Sequence, residues 1–156
     1  MNEPEVFQLL ARSAQQALET MFFLLPDAVS TGTQRPAGAL IAASLTFDGS
    51  PPGRFGVILS EPVGRSIAAN FLGVEDEKTL SPARIAEVSG ELANIICGSV
   101  LTDLEASSGF DLSIPIPIHV PAADPGPDYT AGSPVTCRFD LPGGAIVLYL
   151  AFGTGA

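Results

Sequence analysis

Apolar residues recur at three- and four-residue steps near the start of the chain, which is the spacing of one face of an α-helix. The members of this stripe are Phe7, Leu10, Ala14, Leu18, Met21 and Leu25. Pro26 follows directly, so we predict a first helix over residues 5–25. Residues 27–36 mix Ser, Thr, Gly and Pro without a period and predict a loop.

Short apolar runs separated by turn residues predict strands in the rest of the chain. Residues 38–47 and 54–59 flank a segment rich in Gly and Pro, and residues 135–141 and 145–152 flank Pro-Gly-Gly; each pair predicts a hairpin. Residues 110–120 predict a further strand, in which Pro115 and Pro117 favour an edge position because proline has no N–H for the ladder. Residues 121–134, rich in Pro, Gly and Asp, predict a loop.

Two further helices are predicted from their capping residues. Ser60, followed two positions later by a proline, has the composition of a helix start, and this short helix should end near Gly73. Ser81 and the proline after it begin a third and longest helix, which we expect to continue until Ser108 and Gly109.

The third helix has one apolar and one polar face. With about 3.6 residues per turn, its core-facing positions are Ile85, Val88, Leu92, Ile95 and Ile96. Glu87, Glu91, Asn94 and Gly98 fall within an arc of roughly 60° on another side. Such a stripe is typical of an ordinary solvated helix face, and spacing alone favours that interpretation.

The glycines of this helix make a purely structural role less favourable. Gly90 and Gly98 each weaken a helix interior by roughly 1 kcal/mol relative to alanine. Gly98 lies one turn beyond Asn94 on the same side. It removes side-chain bulk at a position where the backbone of another protein could approach closely.

Composition and charge exclude several classes of function. The chain has 156 residues, of which 46% are hydrophobic, so we expect one domain over residues 1–156. Seventeen acidic residues against seven basic ones give a formal net charge of −10, which disfavours nucleic acid as a partner. The acidic start is unlike a secretory signal and no apolar run is long enough to span a membrane, so we expect a cytoplasmic protein.

The chain has few candidate nucleophiles and metal ligands. Cys97 falls in a predicted helix and Cys137 in a predicted strand, where a lone cysteine is usually a small buried hydrophobe, and we do not expect a disulfide. His119 is the single histidine, so we expect no metal cluster that uses histidine and interpret it as structural.

The segment around Glu91 and Asn94 resembles the Glu-x-x-Asn signature of the CheC/CheX/FliY phosphatases. In that family an acidic or serine residue precedes the glutamate by four positions, and a proline follows the asparagine after twenty-two intervening residues. Glu87 and Pro117 stand at those places here, although glutamate is longer than the usual aspartate or serine. The order of helix, hairpin, short helix, long helix and three strands is also similar to CheX. This resemblance implies an α+β fold with a mostly antiparallel sheet, two long helices packed on it and one short helix.

The resemblance also implies an activity, namely hydrolysis of the phospho-aspartate of a CheY-type response-regulator receiver domain. It implies that Asn94 positions the attacking water and that Glu91 pairs with the receiver lysine, with Glu87 and Gly98 as partner contacts. The receiver would supply Mg²⁺, so no cofactor of its own is expected, and relatives can form homodimers through sheet edges. CheC-like relatives can carry the signature on two helices. Here residues 19–22 place Phe22 where asparagine would be needed, so we expect one active site per chain.

Three alternatives remain open at the level of sequence. The chain could be a non-catalytic member of the same superfamily, like the flagellar switch domains, or a module that binds a phosphorylated receiver without cleaving it. An unrelated enzyme is the third alternative, but the chain has no Walker-type loop, no Gly-x-Ser-x-Gly elbow and no HExxH helix.

Overall fold

A computed structural model describes residues 2–104 and 109–153 of the chain. The helices are α1 (Glu3–Met21), α2 (Glu61–Leu72) and α3 (Pro82–Asp103), with a short 3₁₀ turn at Glu77–Thr79. The strands are β1 (Ala28–Ser30), β2 (Leu40–Asp48), β3 (Gly53–Ser60), β4 (Asp111–Leu112), β5 (Ile116–Val120), β6 (Val135–Leu141) and β7 (Gly144–Phe152).

All of these strands join one sheet, and every pairing in it is antiparallel. The strand order is β1-β6-β7-β3-β2-β4, and β5 also pairs with β2 beside β4. The two predicted hairpins are therefore β2–β3 and β6–β7, and they meet where β3 pairs with β7. An antiparallel sheet with two long helices and one short helix confirms the predicted fold class.

The helices cover one face of this sheet. Side chains such as Leu10 of α1, Leu92 and Ile96 of α3 and Leu148 of β7 are fully buried in the resulting core. On the opposite face, the smaller cluster of Leu40, Ala42 and Val120 packs with Ile58 and Tyr129. Tyr129 belongs to the Pro- and Gly-rich segment 121–134, which is irregular as predicted.

The helix boundaries show which capping signals operate. Ser81 caps α3, because its side-chain oxygen accepts a hydrogen bond from the Arg84 backbone N–H at 3.1 Å. Gly73 ends α2 in the left-handed conformation, with φ of 69°. Ser60 precedes α2 but does not cap it through its side chain. Its hydroxyl instead accepts from the N–H of Ala145 at 2.9 Å and donates to the carbonyl of the same residue at 3.4 Å, which ties the start of α2 to β7.

The first helix ends earlier than predicted, at Met21 rather than near residue 25. Phe23 adopts a positive φ of 56°, and the Leu24 N–H turns back to the Leu18 carbonyl at 2.8 Å. Leu25 consequently lies outside the helix and is 71% exposed. The predicted loop that follows contains β1, whose residues pair with β6.

The predicted strand 110–120 is two strands, because the ladder of β4 stops at Leu112 and β5 begins at Ile116. Among the described strands β5 pairs only with β2, so the edge position predicted from its proline is confirmed. The predicted end of the third helix falls partly on residues 105–108, which lie outside the described residues; α3 as described ends at Asp103.

Helix α3 alone, within the described ranges, is long and apolar enough to cross a membrane by length and composition, so the prediction that no apolar run reaches this length was wrong. Of its most apolar window, 56% is buried inside the protein, as is typical of a core helix. Cys97 on α3 and Cys137 on β6 are both buried and unpaired, as predicted. Burial raises the pKa of each thiol to about 12.

Candidate functional site

Helix α3 carries the candidate site and is held on three sides. It packs against β2 and β5 of the sheet, with α1 and α2 as neighbours. Four of its five predicted core positions are buried, at 2% exposure or less, and Ile95 packs partly buried against the same core. A helix fixed in this way presents its remaining face to solvent in one defined orientation.

The predicted polar stripe lies on that remaining face. Glu87 and Glu91 are exposed, whereas Asn94 and Gly98 are half-buried. None of the four is turned into the core beneath the helices. Asn94 is thus less open to solvent than the sequence indicated, but it shares the face of the exposed Glu91 one turn away.

The acidic and amide groups of this stripe differ in whether they are already paired. Arg84 Nη1 lies 2.7 Å from Glu87 Oε2, in an ion pair whose side chains are largely exposed. Glu91 and Asn94 make no side-chain hydrogen bond or ion pair with any residue that the structure describes. Their carboxylate and carboxamide are therefore available to an external partner, while the charge of Glu87 is compensated within the helix.

The two glycines of α3 have different surroundings. Apart from its chain neighbours and the nearby backbone of α3, a Cβ added at Gly98 would meet no described atom within 4 Å, so no contact within the described chain requires glycine there. A Cβ at the buried Gly90 would lie 3.4 Å from Cβ of Pro115 and 3.8 Å from Cγ of Pro117. Gly90 is thus the place where the segment leading into β5 packs on the helix, a structural role that sequence reasoning missed.

A groove of about 310 Å³ runs beside Glu91. Its walls are Phe71 and Leu72 of α2, the exposed side of α3 from Arg84 to Glu91, and the segment from Ile114 to Pro117. The sequence did not predict Phe71 or Ile114 as site residues, and Pro115 was predicted only to favour an edge strand. These residues lie in the segments before and after α3, and no local pattern joined them to the polar stripe.

Another cavity, of about 470 Å³, lies on the opposite face of the sheet under the segment 121–134. Its lining includes Tyr129 and Tyr149, whose hydroxyl pKa values are raised chiefly by burial. None of Glu87, Glu91, Asn94 and Gly98 contributes to it. The chemistry predicted for α3 therefore does not depend on this cavity.

The described residues form no metal-binding group, and the histidine lies away from the polar stripe of α3. Over residues 2–104 and 109–153 there is no group of three or more His, Cys, Asp or Glu side chains that could hold a metal ion. His119 on β5 is partly exposed, and its Nε2 lies 4.0 Å from Oε2 of Glu61. It is a surface residue and takes no part in the polar stripe of α3.

The first helix has no equivalent of the Glu91 and Asn94 pair. Phe22 stands where the asparagine of a second signature would be, and its side chain is fully buried. It stacks on Phe71 with ring centroids 5.3 Å apart. This position is a core contact and presents no polar group.

Comparisons with known proteins place this fold among chemotaxis proteins. A CheX protein from Vibrio vulnificus superposes with a TM-score of 0.79 at 18% identity, covering 98% of this chain and 99% of that one. CheX in a CheX-CheY-BeF₃-Mg²⁺ complex from Borrelia burgdorferi gives 0.62 at 19% identity, covering 93% and 96%. The FliM middle domain from Vibrio alginolyticus gives 0.58 at 12% identity, covering 97% and 94%.

Sequence comparison gives the family. No curated protein matches the chain. The family model described as chemotaxis phosphatase CheX matches residues 41–132, a stretch that contains α2, α3, β5 and the whole candidate site. The chain therefore belongs to the CheX family of chemotaxis phosphatases.

Proposed function

We propose that this chain hydrolyses the phospho-aspartate of a CheY-type response-regulator receiver domain, with the water positioned by Asn94 and the receiver lysine bound by Glu91. The observation that carries the proposal is the pairing state of these two residues. They project from one face of a packed helix, and neither is engaged by another described side chain. Membership of the CheX family supports the same activity.

The chemistry requires little of the enzyme beyond placement. An acyl phosphate already has a good leaving group, so the catalyst needs to orient a water molecule and tolerate charge that spreads over the phosphoryl oxygens. A carboxamide can accept and donate hydrogen bonds at once, so Asn94 can hold that water without being ionised. No covalent nucleophile is needed, which agrees with a polar stripe made of Glu87, Glu91, Asn94 and Gly98.

The partner completes the site. Glu91 forms a charge-assisted bond with a receiver lysine and fixes the docking angle, while Glu87 and Gly98 lie at the contact surface. Mg²⁺ is supplied by the acidic pocket of the receiver. The related CheX from Borrelia burgdorferi occurs in a complex with CheY, BeF₃ and Mg²⁺, which supports a receiver as the partner here.

The test is the lifetime of a phosphorylated receiver with and without the protein. Asn94→Ala should abolish the acceleration of dephosphorylation. Its affinity for a receiver loaded with beryllium fluoride and its melting temperature should stay close to those of the wild type, because Asn94 is half-buried and makes no hydrogen bond within the described chain. Glu91→Ala should raise KM more than it lowers kcat. Glu75→Ala removes the same charge from an exposed position outside α3 and serves as the control. Undiminished turnover by Asn94→Ala would refute the role given to the amide.

A non-catalytic module that only binds a receiver or a flagellar-switch partner is the second candidate. The observation that favours it is the similarity of the fold to the FliM middle domain. The two candidates differ in one measurement: a binding module prolongs or leaves unchanged the lifetime of the phosphorylated receiver, whereas a phosphatase shortens it.

Location and assembly follow from the same proposal. A partner that is a receiver domain implies a cytoplasmic protein, and the one sheet that all described strands join supports a single domain over residues 1–156. The strand β5 is an edge within the described sheet, and its Ile116 and Ile118 are 65% and 40% exposed. An edge of this kind supports a homodimer formed by strand pairing, which sedimentation of the purified chain would test.

A further inference from the structure

We propose that the groove beside Glu91 is the second half of the receiver-docking surface, and that it binds an apolar side chain which the receiver carries next to the basic group held by Glu91. This inference rests on the proposed function, since it names what the same partner contacts. Its defining residues are Phe71, Ile114 and Pro115, which together with Glu91 line the groove.

Position ties the groove to the receiver. Glu91 is itself part of the groove wall, so a protein that binds this carboxylate must lie over the groove as well. At about 310 Å³ the groove is at the small end of the range for ligand clefts. It suits the side chains of a docked protein better than a large cofactor.

Two walls of the groove carry large apolar side chains that are exposed to solvent but conformationally restrained. Ile114 is 85% exposed, yet the backbone on either side of it is fixed. Ser113 donates its N–H to the Thr46 carbonyl at 2.8 Å and accepts the Thr46 N–H on its hydroxyl at 2.9 Å. On the other side, Pro115 packs over Gly90. An exposed isoleucine held by such a backbone loses little further freedom on binding, which is the property of a preorganised contact.

Phe71 forms the facing wall and is similarly restrained. It is 36% exposed and stacks on the fully buried Phe22. Large apolar groups that are held in place beside a polar anchor are typical of the buried centre of a protein interface.

Charge selects the kind of protein surface that fits. Arg84 and Glu87 at the groove compensate each other at 2.7 Å, so Glu91 is the carboxylate left without a counter-charge there. The complementary surface must bring a cation and an apolar side chain close together. A receiver face with a lysine beside an exposed aliphatic or aromatic residue has this chemistry.

The experiment compares Ile114→Ser with Leu25→Ser in the full chain. Leu25 is a matched control, because it is 71% exposed and precedes Asp27, whose N–H bonds to β6 near the opposite edge of the sheet. We expect Ile114→Ser to raise KM for a phosphorylated receiver about tenfold, and to weaken binding to a beryllium fluoride-loaded receiver equally, with kcat unchanged within twofold. Leu25→Ser should change neither quantity.

The possible failures can be told apart. If the wild type shortens the lifetime of the phosphorylated receiver but Ile114→Ser keeps its KM, the groove proposal is wrong and the proposed function stands. If the wild type binds the loaded receiver without hydrolysing it, and Ile114→Ser binds about tenfold more weakly, the groove proposal stands and the phosphatase proposal fails. If Ile114→Ser instead converts a dimer into a monomer and loses binding only for that reason, the groove belongs to a second copy of this chain, and the proposal is overturned.

Discussion

Gly98→Ala separates the stability of α3 from its use as a docking surface. The substitution adds one methyl group to a helix interior, at a place where the new carbon would meet no described atom within 4 Å outside its own stretch of helix. No described residue outside this stretch of α3 opposes the methyl group, so the full difference in helix propensity should appear as a rise in the free energy of unfolding. We expect the free energy of unfolding to rise by about 1 kcal/mol, and the melting temperature to rise by about 2–4 °C for a chain of this length.

The same methyl group should impair the complex with the receiver. If the backbone of the receiver packs at Gly98, an added carbon overpacks that contact, and overpacking a close-packed contact costs about 1–3 kcal/mol. Even the lower value corresponds to roughly a fivefold loss of affinity. The predicted variant is therefore more stable and yet a weaker binder, a combination that general damage to the fold cannot produce.

Thermal unfolding measures the stability of the variant, and titration with a beryllium fluoride-loaded receiver measures its affinity, on the same preparation. Ser99→Ala is the matched control, since it also raises helix propensity at the adjoining half-buried position but removes an atom instead of adding one. It should be slightly more stable and bind normally. A Gly98→Ala protein that gains stability and binds as tightly as wild type would refute the idea that this glycine faces the partner.

Two further predictions concern the core. Ser60→Ala should lower the free energy of unfolding by about 1–3 kcal/mol in urea titrations, because it leaves the buried N–H of Ala145 without its hydrogen-bond acceptor; no loss would mean that water replaces the hydroxyl. Cys97 and Cys137 should resist a thiol reagent at pH 8 until the protein unfolds, because burial raises the pKa of both thiols to about 12. In the unfolded chain the thiols lose their protons from about pH 9, before they do so in the folded protein. The stability that the buried thiols contribute is therefore fully present below pH 9 and declines as the pH rises toward 12. Rapid labelling of Cys97 or Cys137 in the native protein at pH 8 would contradict the predicted resistance to the reagent.

Local sequence signals were sufficient to predict most of the secondary structure. Ser81 and Gly73 mark helix ends by mechanisms that act within a few residues, a side-chain hydrogen bond and a left-handed φ, and both operate as predicted. The alternating and continuous apolar runs likewise give the two hairpins within about two residues at each end. The 3.6-residue period gave the buried and polar faces of α3 for the same reason.

The errors arise where distant parts of the chain decide the local structure. All three residues of β1 are exposed, so they have no apolar pattern, and the strand exists because β6 offers it a hydrogen-bonding edge. The apolar stripe of α1 continues to Leu25, but the helix stops at Met21, where the chain turns toward β6. A one-dimensional period cannot anticipate either contact. The same limit hid Phe71 and Ile114 from the prediction of the site.

The structure gives a physical reason for the proline at position 117, which the sequence signals did not. Its spacing from Asn94 helped to give the family resemblance, and its missing N–H predicted an edge strand, but neither argument explained why a proline on β5 should accompany an asparagine on α3. The structure supplies a contact: Cγ of Pro117 lies 3.8 Å, and Cβ of Pro115 3.4 Å, from where a side chain on Gly90 would begin. A side chain larger than a methyl at position 90 would push the strand off the helix. Because Glu91 follows Gly90 directly, this contact sets the wall of the groove next to the carboxylate, and it couples the proline of the edge strand to the geometry of the site.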